Sequence, residues 1–123
     1  WRTPKGLPRI ENSDVRKTMP PLKSRVDQWV NSHIHIKGRP EWVFVKVHTH
    51  GTQEADMDTL LGQSRHEMHS YLETKYNDTD NYVLHYVSAR EMYNIAKAAE
   101  DDKCGDPNLY RDYILPKPSF KPL

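Results

Sequence analysis

The chain has one cysteine, Cys104, among its 123 residues, so it closes no internal disulfide and offers no multi-thiolate metal site. Its longest apolar run, Trp42 to Val47, is broken by Lys46 and falls far short of the about 20 residues needed to cross a bilayer. No membrane span is expected. Neither charge sign dominates: 18 basic residues face 17 acidic ones for a net charge of +1, and the basic stripe that would track nucleic acid is missing. The sequence also has no serine nucleophile elbow, no glycine-rich phosphate loop and no Cys/His nucleophile constellation. Trp1 to Ile10 contains arginine, lysine and two prolines but no apolar h-region, so it does not read as a secretory signal. Trp in place of Met at position 1 fits a piece of a longer protein.

What is present suits one modest core. Hydrophobic residues make up 36% and charged residues 28% of the chain, and the nine prolines lie mostly outside its periodic middle. We therefore expect an ordered core over 20–102, between an extended arm over 1–19 and a second extended arm over 103–123. Pro20 and Pro21 can open a helix, and Leu22, Val26, Trp29 and Val30 then repeat with helical spacing. Trp42 to Val47 places β-branched and aromatic residues on both faces, the pattern of a strand in a parallel sheet. Met57, Leu60, Leu61, Met68, Tyr71 and Leu72 suit a second helix reaching about Tyr76, weakened by Gly62. A turn cluster over 77–81 precedes a second short strand, Tyr82 to Val87. Ser88 and Glu91 then form a capping box for a third helix with Met92, Ile95, Ala96 and Ala99 on its apolar face. This order predicts an α/β fold built on a parallel β-α-β unit with a right-handed crossover. Leu109, Tyr110, Tyr113, Ile114, Leu115 and Phe120 are too apolar for a free tail and are expected to pack on a neighbouring surface.

Chemistry is expected where the first strand ends, at His48-Thr49-His50-Gly51, because ligands of parallel sheets gather outside the carboxyl ends of strands. Alternation sends His48 and His50 to one face, where two imidazoles can converge on one metal or one substrate. The same pair can instead hydrogen-bond loop carbonyls. No further ligand set stands out at recognisable spacing, so no metal ligand is assigned. A small metalloprotein using both histidines and one helix histidine remains an alternative. His66 and His69 lack the spacing of the zinc peptidases and read as a solvated face, as do His33 and His35. His85 reads as a core or interface histidine and Lys46 as an exposed edge residue. Arg9, Glu11 and Asn12, in the irregular arm, combine charge and amide groups that can fold over a polar ligand. They are the substrate-binding candidates. Trp1, Trp29, Tyr110 and Tyr113 open a further alternative, a non-catalytic carbohydrate-binding or assembly module.

Trp42-Val43-Phe44-Val45-Lys46-Val47-His48, followed by a long helix and then by Leu84-His85-Tyr86-Val87-Ser88-Ala89-Arg90-Glu91, resembles the last part of the polysaccharide deacetylase family, the family-4 carbohydrate esterases. The resemblance covers about Glu41 to Ala99. It implies the C-terminal portion of a distorted (β/α) barrel in a carbohydrate-active hydrolase. His48 would match the family's late histidine, the general acid to the leaving amine, with His50 in support. Thr49 and His50 depart from the acidic or small polar residue that usually follows that histidine. The family's metal-binding Asp and His-x-x-x-His elements lie near the start of its domain, and Trp1 to Pro40 does not supply them. The resemblance thus implies either a piece of a longer enzyme whose divalent metal, zinc, is held upstream, or a relative without catalysis. Its expected partners are carbohydrate and either the upstream part of the same protein or a second copy of the chain.

Overall fold

The computed structural model describes residues 10–51 and 53–120. Arg9 and Trp1, with the rest of the first nine positions of the expected arm, lie outside the described residues, as do Thr52 and Pro122. The elements in chain order are helix α1 Lys23–Asn31, a 3₁₀ turn at Glu54–Asp56, helix α2 Met57–Leu61, helix α3 Gln63–Lys75, helix α4 Ala89–Glu100 and a 3₁₀ turn at Pro107–Tyr110.

The expected parallel β-α-β unit, and with it the barrel portion, is overturned. Among the described residues the structure is mostly helical with no sheet, and pairing there is confined to three isolated bridges, Asp14 with His48, Arg16 with Met19 and Ile36 with Arg39. The reason lies in burial. Parallel strands need both faces covered, yet Lys46 and Val47 are exposed in the first run and Tyr82 and Val83 in the second. Their backbone groups are satisfied elsewhere: the Phe44 amide donates to the Ile34 carbonyl, the His48 amide to Ser13 and the Leu84 amide to the Asn77 side chain. Each run is also divided between two compact units.

The first unit comprises 10–33 and 45–84 among the described residues. Its core joins Val15, Val26, Trp29 and Tyr76, with Val45, Leu60, Met68 and Leu72 against them. Helix α1 supplies Val26 and Trp29 from one face, as the helical spacing requires. The expected second helix is broken at Gly62. A Cβ there would stand 2.4 Å from the Asp58 carbonyl oxygen, so only glycine permits the sharp passage from α2 into α3. Asp27 ties α1 to the end of α3, accepting from Tyr71, Lys75 and Tyr76. Burial pushes the Tyr76 phenol up and the Asp27 bond adds to it, leaving it at about 12.

The second unit comprises Ile34–Phe44 together with 85–120 among the described residues. The Ser88 hydroxyl caps α4 by accepting from the Glu91 amide while Glu91 accepts from the Ser88 amide. The helix buries Ile95, Ala98 and Ala99 against Trp42, with Phe44, Val87, Tyr110 and Tyr113 packed around them. Asn94, fully buried, holds the C-terminal segment. Its amide donates to the Arg111 and Leu115 carbonyls, and its oxygen accepts from the Ile114 and Leu115 amides. No helix among the described residues is long and apolar enough to cross a membrane.

Candidate functional site

The first unit brings the predicted histidines together with a carboxylate, Asp14, that no sequence spacing links to them. The parallel bridge between Asp14 and His48 rests on two backbone bonds, Val15 amide to His48 carbonyl at 2.8 Å and His48 amide to Ser13 carbonyl at 3.1 Å. It sets Asp14 beside the His48-Thr49-His50 turn. The two imidazoles meet edge to face with ring centroids 5.2 Å apart. One donor atom from each of Asp14, His48 and His50 lies within 4.8 Å of the others, the one group of three or more His, Cys, Asp or Glu residues so gathered among the described residues.

Burial grades across this cluster. Asp14 is fully buried, His48 is half-buried and His50 is exposed. Neither Asp14 carboxylate oxygen accepts a hydrogen bond, and the His48 Nδ1 and Thr49 Oγ1 atoms are buried without a hydrogen-bond partner. Arg16 Nη2 approaches Asp14 Oδ2 to 2.6 Å, a charge contact whose angles are not those of a hydrogen bond. A buried carboxylate without donors is costly. Asp14 and His48 thus bring together buried polar atoms that make no hydrogen bond within the protein, with the Arg16 ion pair as the one charge contact.

A second layer holds Asp14 in position. Ser13 adopts a left-handed backbone, φ 58°, which is uncommon for a residue with a side chain. Two side chains stabilise it: Glu11 Oε1 accepts the Ser13 amide at 2.7 Å and Asn12 Oδ1 accepts the Asp14 amide at 3.1 Å. Glu11 in turn binds Arg25, a fully buried guanidinium. Arg25 Nε and Nη2 each meet a Glu11 carboxylate oxygen at 2.7 Å, Nη2 also donates to the Asp14 carbonyl at 2.7 Å, and Nη1 donates to the Met19 and Pro20 carbonyls. All five guanidinium donors are used. Trp29 Nε1 donates to Glu11 as well. Burial pushes the Glu11 carboxyl up, but the bonds from Arg25, Trp29 and the Ser13 amide outweigh it and hold the group down at about 2.

Glu11 and Asn12 thus act here as positioning groups for Asp14, and Arg9 lies outside the described residues. The histidines also line two cavities of the first unit. His48 and Thr49 border one of about 250 Å³ whose apolar walls include Val15, Val47, Leu60 and Met68. His50 borders one of about 230 Å³ with Arg16, Lys17, Thr18 and Asp56. His66 is exposed on α3 and His69 half-buried, and the third member of the cluster is Asp14, not a helix histidine.

The sequence carried one signal for Asp14: it stands in Asn12-Ser13-Asp14, a polar triplet suited to a tight side-chain-stabilised turn. Nothing in its spacing linked it to His48. Comparison of the chain with protein-family models, with curated proteins and with solved structures returns no match.

Proposed function

We propose that this chain supplies the leaving-group end of a hydrolytic site acting on N-acetyl groups of carbohydrate, the activity of the polysaccharide deacetylases that its sequence resembles. The observation that carries the reading is the buried Asp14 carboxylate gathered with His48 and His50. A carboxylate beside an imidazole is the usual means of fixing a histidine for proton transfer. In this reading His48 protonates the departing amine, the nearby Asp14 carboxylate balances the imidazolium charge without a hydrogen bond to the ring, and His50 stands at the solvent rim.

Two further features support the substrate class. The cavity beside His48 is walled largely by apolar side chains, with Thr49, Thr59 and Arg65 as its other polar lining residues, which suits a group with a methyl and a polar head such as an acetamide. The cavity beside His50 is bordered by Arg16, Lys17, Thr18 and Asp56, donors and acceptors of the kind that bind sugar hydroxyls. In such hydrolysis a divalent metal supplies Lewis-acid activation of water. The Asp14, His48 and His50 donor set suits zinc, but His48 cannot serve as ligand and proton donor together. The activating metal of this reaction therefore belongs to residues outside this chain, and this chain's share is the proton and the acyl-side pocket.

The test is acetate release from N-acetylated chito-oligosaccharides by the full-length parent protein and by its His48→Ala variant, with zinc or cobalt added. Release that falls at least about 100-fold in the variant, the scale of a lost general acid, supports the reading. Equal release by both proteins, or none by either, overturns it.

A further inference from the structure

We infer that Asp14, His48 and His50 form a divalent transition-metal site of their own, and that a cation held there acts as a brake by withdrawing His48 from proton transfer. The site itself stands on geometry alone; the brake rests on the acid role given to His48 above.

The donor set is one carboxylate and two imidazoles, which is three of the four ligands of a tetrahedral zinc site with the last left to water. Bonds of about 2.1 Å to zinc put tetrahedral ligands roughly 3.4 Å apart, and the donor atoms already lie within 4.8 Å of one another. Closing the gap takes side-chain torsions of Asp14 and His50 and leaves the backbone bridge between Asp14 and His48 intact. Several of the cluster's potential ligand atoms make no hydrogen bond within the protein. Both Asp14 carboxylate oxygens and His48 Nδ1 are buried without hydrogen bonds, so coordination displaces no protein partner except the Arg16 contact at 2.6 Å. The Arg16 side chain is 43% exposed and can turn into solvent when a cation takes its place.

Arg16 is therefore the competitor. With it paired, the cluster holds its charge without metal and His48 keeps a free ring nitrogen. With a cation bound, Arg16 is expelled and His48 is committed as a ligand. The two states of His48 exclude each other, so metal occupancy and proton donation trade off at one imidazole.

Equilibrium dialysis of the 123-residue chain against zinc chloride, with cobalt(II) absorption as a second readout, decides the site. One equivalent is expected, with the intense visible bands of tetrahedral cobalt. Asp14→Asn, His48→Gln and His50→Gln should each weaken binding at least about tenfold, the lower end for a changed metal ligand shell, and Arg16→Gln should tighten it. His66→Gln on α3 should change nothing. His50 is exposed, so its replacement does not threaten folding, and Asp14→Asn keeps the main-chain carbonyl that Arg25 grips. No binding, or binding indifferent to Asp14→Asn and His50→Gln, overturns the site. For the brake, zinc beyond the amount that maximises acetate release by the parent should suppress it, and Arg16→Gln should lower the zinc needed. Binding without suppression overturns the brake and the acid role of His48 together. A parent that releases no acetate overturns the deacetylase reading and leaves the dialysis result to stand for the site.

Discussion

Replacing Arg25 with methionine should remove much of the first unit's margin of stability. The side chain is fully buried and uses every donor it has, on Glu11, Asp14, Met19 and Pro20. Methionine keeps most of the aliphatic volume beside Trp29 but removes the guanidinium from three carbonyls and from the Glu11 carboxylate, which keeps the Ser13 amide and Trp29 as donors but loses its buried countercharge. Removing one side of a buried pair costs about 3–5 kcal/mol, against a total of roughly 5–15 kcal/mol for a domain. Urea unfolding followed by tryptophan fluorescence and far-ultraviolet circular dichroism measures the loss. Glu11→Gln in the same background should restore part of it, since the buried charge is then removed too, and the cycle should give a coupling of at least about 1 kcal/mol. A loss below about 1 kcal/mol for Arg25→Met, or strict additivity with Glu11→Gln, would refute a cooperative network around Arg25. The same substitution should weaken zinc binding, because Arg25 holds the Asp14 main chain.

Three other outcomes follow from the structure. Glu11 is held at about 2 in the fold against an ordinary 4.5; its stabilisation is therefore complete above pH about 4.5 and lost as pH falls toward 2. A loss of about 3 kcal/mol, from about 1.36 kcal/mol for each pH unit separating the folded and unfolded values, should appear in acid titrations of the wild type and be largely missing in Glu11→Gln. Asn94→Ala leaves the Ile114 and Leu115 amides without their acceptor, while the Arg111 and Leu115 carbonyls keep Arg90, and should cost about 2–4 kcal/mol, read as faster hydrogen exchange at those two amides with the first unit unchanged. Gly62→Ala gains about 1 kcal/mol of helix propensity but places a Cβ 2.4 Å from the Asp58 carbonyl oxygen. Net destabilisation is expected in thermal melts, and stabilisation would mean that α2 and α3 can run on as one helix.

Local signals in the sequence translated well where the chain itself supplies both partners. Ser88 and Glu91 cap α4 with residues three apart, and Val26 with Trp29 repeats on one face of α1, so neither depends on distant chain. The apolar runs at Trp42 to Val47 and Tyr82 to Val87 misled because strand identity depends on what covers them. A β-branched run looks the same whether it lies in a sheet or is split between two cores, as Trp42 and Val45 are. His48 and His50 were visible by alternation at the end of such a run, and their closeness needs only two residues of extended chain. Asp14 was not visible, because its approach depends on a bridge to residues far along the sequence and on Arg25 gripping its carbonyl. Glu11 and Asn12 drew notice as polar groups in an irregular arm, and periodicity cannot show that their side chains hold the backbone at Ser13 and Asp14.

The central claim is that Asp14 and His48 work as one centre, and a double-mutant cycle on acetate release by the parent protein tests it most directly. If Asp14 acts through the charge on His48, then Asp14→Asn and His48→Gln together should be no slower than His48→Gln alone, because the carboxylate has no imidazolium left to balance. Rate losses that multiply in full would show two independent groups and contradict the account.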